Sequence, residues 1–157
     1  MRTAVITVAS AARREHLERQ RRILAEVAGE IVRVEAWLDE TPPEDAPDAE
    51  TLTLHVPPGP HGLRVGEGRN RAAAAALGAG AELLVFLDVD CLPGAGLLPA
   101  YRAAALAHPD AVLCGAVTYL SSVQRPDTAS DLPFLVRPHR ARPALPAGGT
   151  RAASRDE

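Results

Sequence analysis

The chain contains no lysine; all 17 of its basic residues are arginine. Enzyme classes whose chemistry requires an ammonium group are therefore closed to it. Aromatic residues make up only 3% of the sequence, and alanine fills much of the apolar fraction. A core so short of rings points to alanine-rich helices lying close on a sheet. There are two cysteines, Cys91 and Cys114. Each falls at or beside a predicted strand and neither belongs to a spaced ligand cluster, which excludes a zinc pattern and predicts buried reduced thiols. No apolar run approaches the roughly 20 residues needed to span a bilayer, so no transmembrane segment is expected. A net charge of -3 provides no global attraction to nucleic acid or to anionic membranes, and any phosphate binding must come from local arrangement. The opening "MRTAVITVASAARRE" alternates valine and isoleucine with threonine. It reads as a first strand rather than a secretory signal, and the expected location is the cytoplasm.

What is present is an ordered alternation of strand and helix. At 157 residues, with 46% hydrophobic and 24% charged residues, the chain suits one domain with a real core. Residues 3–9 are β-branched and apolar, as a buried strand requires. The following "SAARREHLERQRRILAEVAG" predicts a helix with Ser10 as N-cap and Gly29 as its stop. Residues 31–38 form a second predicted strand ending at Asp39, and the acidic, proline-bearing "DETPPEDAPDAE" must be an exposed loop. A short third strand covers 51–56. "GEGRNRAAAAALGAG" predicts a helix that begins between Gly68 and Asn70 and ends at Gly78 or Gly80. Residues 83–87 form the fourth strand, read as a central one buried on both faces. "GLLPAYRAAALAH" is a further helix despite Pro99, and "DAVLCGAVTYL" is a fifth strand. Continuous apolar strands separated by helices predict an α/β fold, a doubly wound and mostly parallel sheet, over residues 1–120. Residues 121–157, rich in proline and arginine without a sustained period, are expected to be irregular or disordered.

The fourth strand delivers two carboxylates to one place: "LLVFLDVDCLPG" ends in Asp88 and Asp90. In open parallel sheets ligands bind beyond the carboxyl ends of the strands, and Ala9-Ser10, Asp39 and Asp88–Asp90 all fall at such ends. "VFLDVD" resembles the opening strand of the haloacid dehalogenase superfamily, which implies a phosphatase with Asp88 as nucleophile and Asp90 as proton shuttle. That family follows the pair with Gly-Thr near the start of the chain, whereas Cys91-Leu92 follow here in its second half. "LLVFLDVDCLPGAG" also resembles the phosphoacceptor strand of response-regulator receivers. A receiver needs acids after its first strand and a lysine after its fifth; Ala9-Ser10 and the absence of lysine argue strongly against it.

A third resemblance covers most of residues 3–120. "GEGRNRAAAAALGAGAELLVFLDVDCLPGAGLL" is similar to the stretch of family 2 glycosyltransferases, of GT-A fold, in which an Arg-Asn helix start leads through an alanine-glycine helix and a buried strand into a D-x-D motif. "AVITVAS", the strand ending at Asp39, and "AVLCGAVTYL" resemble further elements of that family. The resemblance implies transfer of a sugar from a nucleoside-diphosphate sugar, a UDP-sugar being favoured, with a divalent metal, Mg²⁺ or Mn²⁺. Two carboxylates alone would repel a diphosphate, but they can hold a hard cation that bridges to it. It assigns Asp90 to the metal and Asp88 to the ribose or the metal shell; residues one apart in a strand point the same way, so the two converge if extended geometry persists through Val89. Asp39 is suited to accept from the N3-H of uracil. Arg69 and Asn70, at a helix start whose free N–H groups favour anions, are implied to lie near the nucleotide and diphosphate. Thr7 and Ala9 are implied to line the nucleotide pocket through backbone atoms, with Arg13 or Arg14 in reach of a phosphate. "GEGRNR" has two of the three glycines of a dinucleotide fingerprint and follows a loop, so that motif is not assigned. Nothing in residues 121–157 resembles the family's acceptor-binding half, and neither Asp156 nor Glu157 is assigned as general base. The expectation is thus a donor half without its acceptor half: a transferase, or a non-catalytic nucleotide-sugar-binding domain that dimerises through its uncovered surface.

Overall fold

The structure, a computed structural model, describes residues 1–43, 50–120, 125–134, 137–138 and 140. The chain divides into two compact units, Met1–Leu92 and Pro93–Glu157. Residue 120, where the sequence pattern changes, lies within the second.

The first unit is built on a four-stranded sheet in the order β3-β2-β1-β4, all parallel. Its strands are β1 (Thr3–Ala9), β2 (Val32–Trp37), β3 (Thr51–His55) and β4 (Leu83–Phe86). Two helices cover it: α1 (Arg14–Val27), after a single 3-10 turn at Ala11–Arg13, and α2 (Val65–Gly78). This is the α/β class that continuous apolar strands require, since a parallel sheet must be covered on both faces.

β1 supplies both faces from alternate residues. Ala4 and Ile6 join Val32, Val34 and Ala36 of the sheet with Ala72 and Ala76 of α2 in one buried cluster, against which Val8 rests. On the other face Thr7 bonds to Gln20 of α1, while Ala9 and Trp37 enclose Leu17. The buried residues of α1 are Leu17, Gln20, Ile23 and Leu24, one stripe at helical spacing.

Why α2 starts where it does was not visible in the local pattern. The glycines of "VGEGRNR" argued for a start no earlier than Gly68, yet the helix begins at Val65. Glu67 in the first turn pairs with Arg64 and suits the helix dipole. Gly68 is needed for proximity: a Cβ there would stand 3.0 Å from Leu38 Cδ2 and 3.4 Å from Ala36 Cβ. With Ala72 and Ala76 it forms a strip of small residues that lets α2 lie close on the sheet. The helix ends as expected at Gly78, in a Schellman arrangement. Gly80 takes φ +82, its N–H donates to Leu77 O, and Ala81 N–H donates to Ala76 O.

Two expectations about strands are corrected. β4 is an edge strand of this sheet, with Val85 buried but Phe86 51% exposed, and is not a central strand covered on both faces. The fifth strand expected over 110–120 does not join the sheet. Only β5 (Thr118–Tyr119) forms, antiparallel to β6 (Arg137–Pro138) in a separate pair. Val112 is 95% exposed, and an apolar segment becomes a buried strand only where a ladder partner meets it. The second unit also contains α3 (Leu97–Ala107) and a 3-10 segment, Ala129–Phe134. Pro99 sits in the first turn of α3, where its missing N–H costs no helical bond. Both cysteines are free, but Cys91 is half-buried and Cys114 exposed, against the expectation of two buried thiols. Among the described residues no helix is long and apolar enough to cross a membrane.

The contrast between the two glycines of α2 is testable. A Cβ at Gly66 meets nothing within 4 Å, so Gly66→Ala should stabilise by about 0.5–1 kcal/mol through helix propensity. Gly68→Ala should destabilise by about 1–2 kcal/mol, because overpacking against fully buried Leu38 exceeds that gain. Urea unfolding midpoints of the two variants should move in opposite directions.

Candidate functional site

The parallel ladder brings the ends of its strands to one edge of the sheet. It continues one residue past each named strand: Leu38 N–H donates to Ala9 O, Val56 N–H to Trp37 O and Leu87 N–H to Ile6 O. Beyond those bonds the chain leaves the sheet at Ser10, Asp39 and Asp88, and there the candidate residues gather.

Asp39 is tied down on two sides. Its carboxylate accepts from the Ala11 N–H at 2.5 Å, and its carbonyl accepts from His55 Nε2 at 2.8 Å. A carbonyl only accepts, so His55 carries its proton on Nε2. The first bond revises the capping scheme of the helical segment after β1. Ser10 occupies the N-cap position, but its hydroxyl makes no capping bond; a carboxylate from the next strand satisfies the orphan donor. Trp37 Nε1 donates to Thr41 O at 3.0 Å, which folds the start of the acidic loop back onto β2. Residues 44–49 of that loop lie outside the described residues.

On the other side of β1, the Arg69 guanidinium donates to Asp88 Oδ1 at 2.6 Å. The side chains are 45% and 66% exposed, so the pair is open to a ligand and contributes little to stability. Because α2 begins at Val65, Arg69 and Asn70 stand in its second turn, not at the free N–H groups of a helix start. Arg69 meets the acidic segment through its side chain; Asn70 is exposed beside it.

Extended geometry does not persist through Val89. Cys91 N–H donates to Asp88 O at 2.8 Å and closes a tight turn that contains Val89 and Asp90. The two carboxylates are therefore presented from the corner and the interior of a turn, both exposed, rather than side by side on a strand. Among the described residues no group of three or more His, Cys, Asp or Glu side chains is placed to hold a metal ion.

Other sequence candidates lie deeper. Thr7 is 3% exposed, paired in register with Glu35, and its hydroxyl donates to Gln20 Oε1 at 2.7 Å. Ala9 is 4% exposed and its carbonyl is used by Leu38. Arg14 stacks its guanidinium 5.4 Å from the centre of the Trp37 ring. Arg13 is exposed at the end of the 3-10 turn. Asp156 and Glu157 lie outside the described residues.

Comparisons with protein-family models, curated proteins and solved structures return no match. The site therefore stands on its own geometry. A groove of about 490 Å³ opens at the opposite edge of the sheet, lined in part by Arg2, Leu24, Gly29, Arg33 and Leu52. It touches none of the candidate residues, and it lies at the amino ends of the strands, whereas ligands of parallel sheets lie at the carboxyl ends.

One residue of consequence was missed in the sequence. Gln20 is 1% exposed. Its Nε2 donates to both Asp88 O and Cys91 O at 2.8 Å. The available signal was a lone amide in the apolar stripe of α1, between Leu17 and Ile23.

The Asp39 cap has its own test. Asp39→Ala should lower stability by about 1 kcal/mol, as loss of a helix cap does, and Asp39→Asn, which retains an acceptor, should recover most of it. Chemical denaturation of the three proteins measures both.

Proposed function

We propose that the first unit binds a nucleoside-diphosphate sugar across the carboxyl edge of its sheet, as the donor-binding part of a glycosyltransferase of GT-A type. The observation that carries the proposal is the meeting of Arg69 with Asp88 beside the end of β1. From β1 the chain first winds outward to β2 and β3, then returns through α2 to place β4 on the other side of β1. That reversal is a topological switch point, where doubly wound sheets bind nucleotides. Cationic and anionic groups stand together there, as recognition of a metal-bound diphosphate requires.

The donor atoms are of the type that suits a hard divalent cation. Asp88 and Asp90 offer exposed carboxylate oxygens, the ligand type preferred by Mg²⁺ and Mn²⁺. Asp88 and Asp90 would hold such a cation, and with only two protein ligands it would still be free to take phosphate oxygens and water, as Mg²⁺ commonly does. When bound, the metal supplies neutralisation of the charge that grows on a leaving diphosphate. Arg69, released from Asp88, turns its guanidinium to the phosphate oxygens. Asp39, with one carboxylate oxygen committed to Ala11 and the other without a hydrogen bond among the described residues, accepts from the N3-H of uracil, which favours a UDP-sugar. Thr7 and Ala9 support this edge from within the ladder.

Use of Asp88 as the nucleophile of a phosphatase is less favoured, because no lysine is available to accompany it. Calorimetry of UDP binding decides the matter. UDP should bind with Mn²⁺ and at least tenfold more weakly without it, and Asp90→Ala should abolish the metal dependence. Failure of UDP, GDP and TDP to bind in the presence of Mn²⁺ would sink the proposal. Metal-dependent hydrolysis of a phosphomonoester, lost in Asp88→Asn, would replace it with the phosphatase reading. Assay of sugar transfer and donor hydrolysis then separates a transferase from a module that only binds.

A further inference from the structure

We propose that Gln20 is a positioning residue of this site, holding the Asp88–Cys91 turn against the sheet in the orientation that presents Asp90. The inference rests on the nucleotide and metal reading above and goes beyond it by assigning a role to a residue that touches no ligand. The Asp88–Cys91 turn closes on itself through one hydrogen bond, from Cys91 N–H to Asp88 O. It follows an edge strand whose last ladder bond is Leu87 N–H to Ile6 O. Gln20 ties the turn to α1: both protons of its amide nitrogen are used, one on the carbonyl before the turn's interior and one on the carbonyl after it. Asp90 lies between the two anchor points.

The amide is itself held in one orientation. Its oxygen accepts from the Thr7 hydroxyl in the centre of β1. Flipping the amide would set that oxygen against two carbonyl oxygens and leave two part-buried acceptors without their donors, at a cost in free energy. Thr7, Gln20 and the acidic turn thus form one fully satisfied chain of hydrogen bonds running from the most buried strand to the exposed carboxylates. A closed chain of this kind is rigid, whereas a partly satisfied one is not. Leucine or methionine would fill the same space in α1 and serve its packing equally well. Neither can donate to the turn, so the amide is explained by the turn and not by the core.

The test compares four proteins: wild type, Gln20→Met, Thr7→Val and Ile23→Ala. Ile23 is completely buried on the same helix and its side chain has no hydrogen-bonding group, so its truncation controls for loss of stability alone. Each protein is titrated with Mn²⁺ in the presence of UDP, following free Mn²⁺ by electron paramagnetic resonance at a temperature where all are folded. Amide exchange at Cys91 is measured in parallel. Gln20→Met should weaken Mn²⁺-UDP binding at least tenfold and speed exchange at Cys91 while the β1–β2 ladder stays protected. Thr7→Val should weaken binding several-fold in the same direction and decides the matter if Gln20→Met does not fold. Ile23→Ala should bind as wild type despite a lowered melting temperature. Wild-type affinity in Gln20→Met or Thr7→Val, or a loss in Ile23→Ala that matches theirs, overturns the assignment while leaving nucleotide binding intact. If wild type itself binds no Mn²⁺-UDP, the proposed function and the role of Gln20 fall together.

Discussion

The pairing of β1 with β2 on one side and β4 on the other is the constraint on which the rest of this unit depends. A strand with two parallel neighbours has both faces to cover, and Ala4, Val5, Ile6 and Ala9 are each no more than 4% exposed. The returns from β1 to β2 and from β3 to β4 each cross the sheet on a helix, which places α1 on one face and α2 on the other. Because every strand runs the same way, their carboxyl ends arrive at one edge. Asp39 and Asp88, far apart in sequence, are separated there only by the end of β1.

The two faces of that sheet are built by different means. Under α2 the contact is made of small residues; Gly68, Ala72 and Ala76 are buried, and the helix approaches until a single added carbon at Gly68 would be crowded. Under α1 the contact includes polar groups matched one by one. Gln20 satisfies Thr7, and Arg21 meets buried Glu35 with two hydrogen bonds, from Nε at 2.8 Å and Nη2 at 2.5 Å. Close apolar packing fixes distance, while paired polar groups fix orientation. It is the oriented face that reaches the acidic turn.

Much of this was legible in the chain. β1, β2, β3 and β4 lie within a residue or two of where β-branched apolar runs placed them, and Gly29 and Gly80 stop their helices with positive φ. These are local matters: period 2 against period 3.6, and the ease with which glycine adopts a left-handed conformation. The misjudged features are those in which a distant neighbour overrides a local preference. Gly66 and Gly68 look like breakers, yet both lie inside α2, and at Gly68 the closeness of Leu38 and Ala36 leaves no room for a side chain. The run from Asp110 to Leu120 looks like a strand, but strand propensity forms no sheet without a partner. Val89 continues an apolar strand in sequence, yet the turn bond from Cys91 to Asp88 takes it out of line.

By itself, then, the sequence determined the class of fold and the delivery of carboxylates to strand ends, because both follow from hydrophobic period and from where it stops. It also ruled out lysine chemistry by composition alone. Tertiary structure decided what those carboxylates do: Asp39 caps the helical segment after another strand, Asp88 meets an arginine from the second turn of α2, and Asp90 sits in a turn gripped by Gln20. Hydrogen bonds between residues 13 to 71 positions apart leave no periodic trace in the chain. They depend on which elements meet, and that is settled only when the ladder of β1 has chosen its neighbours.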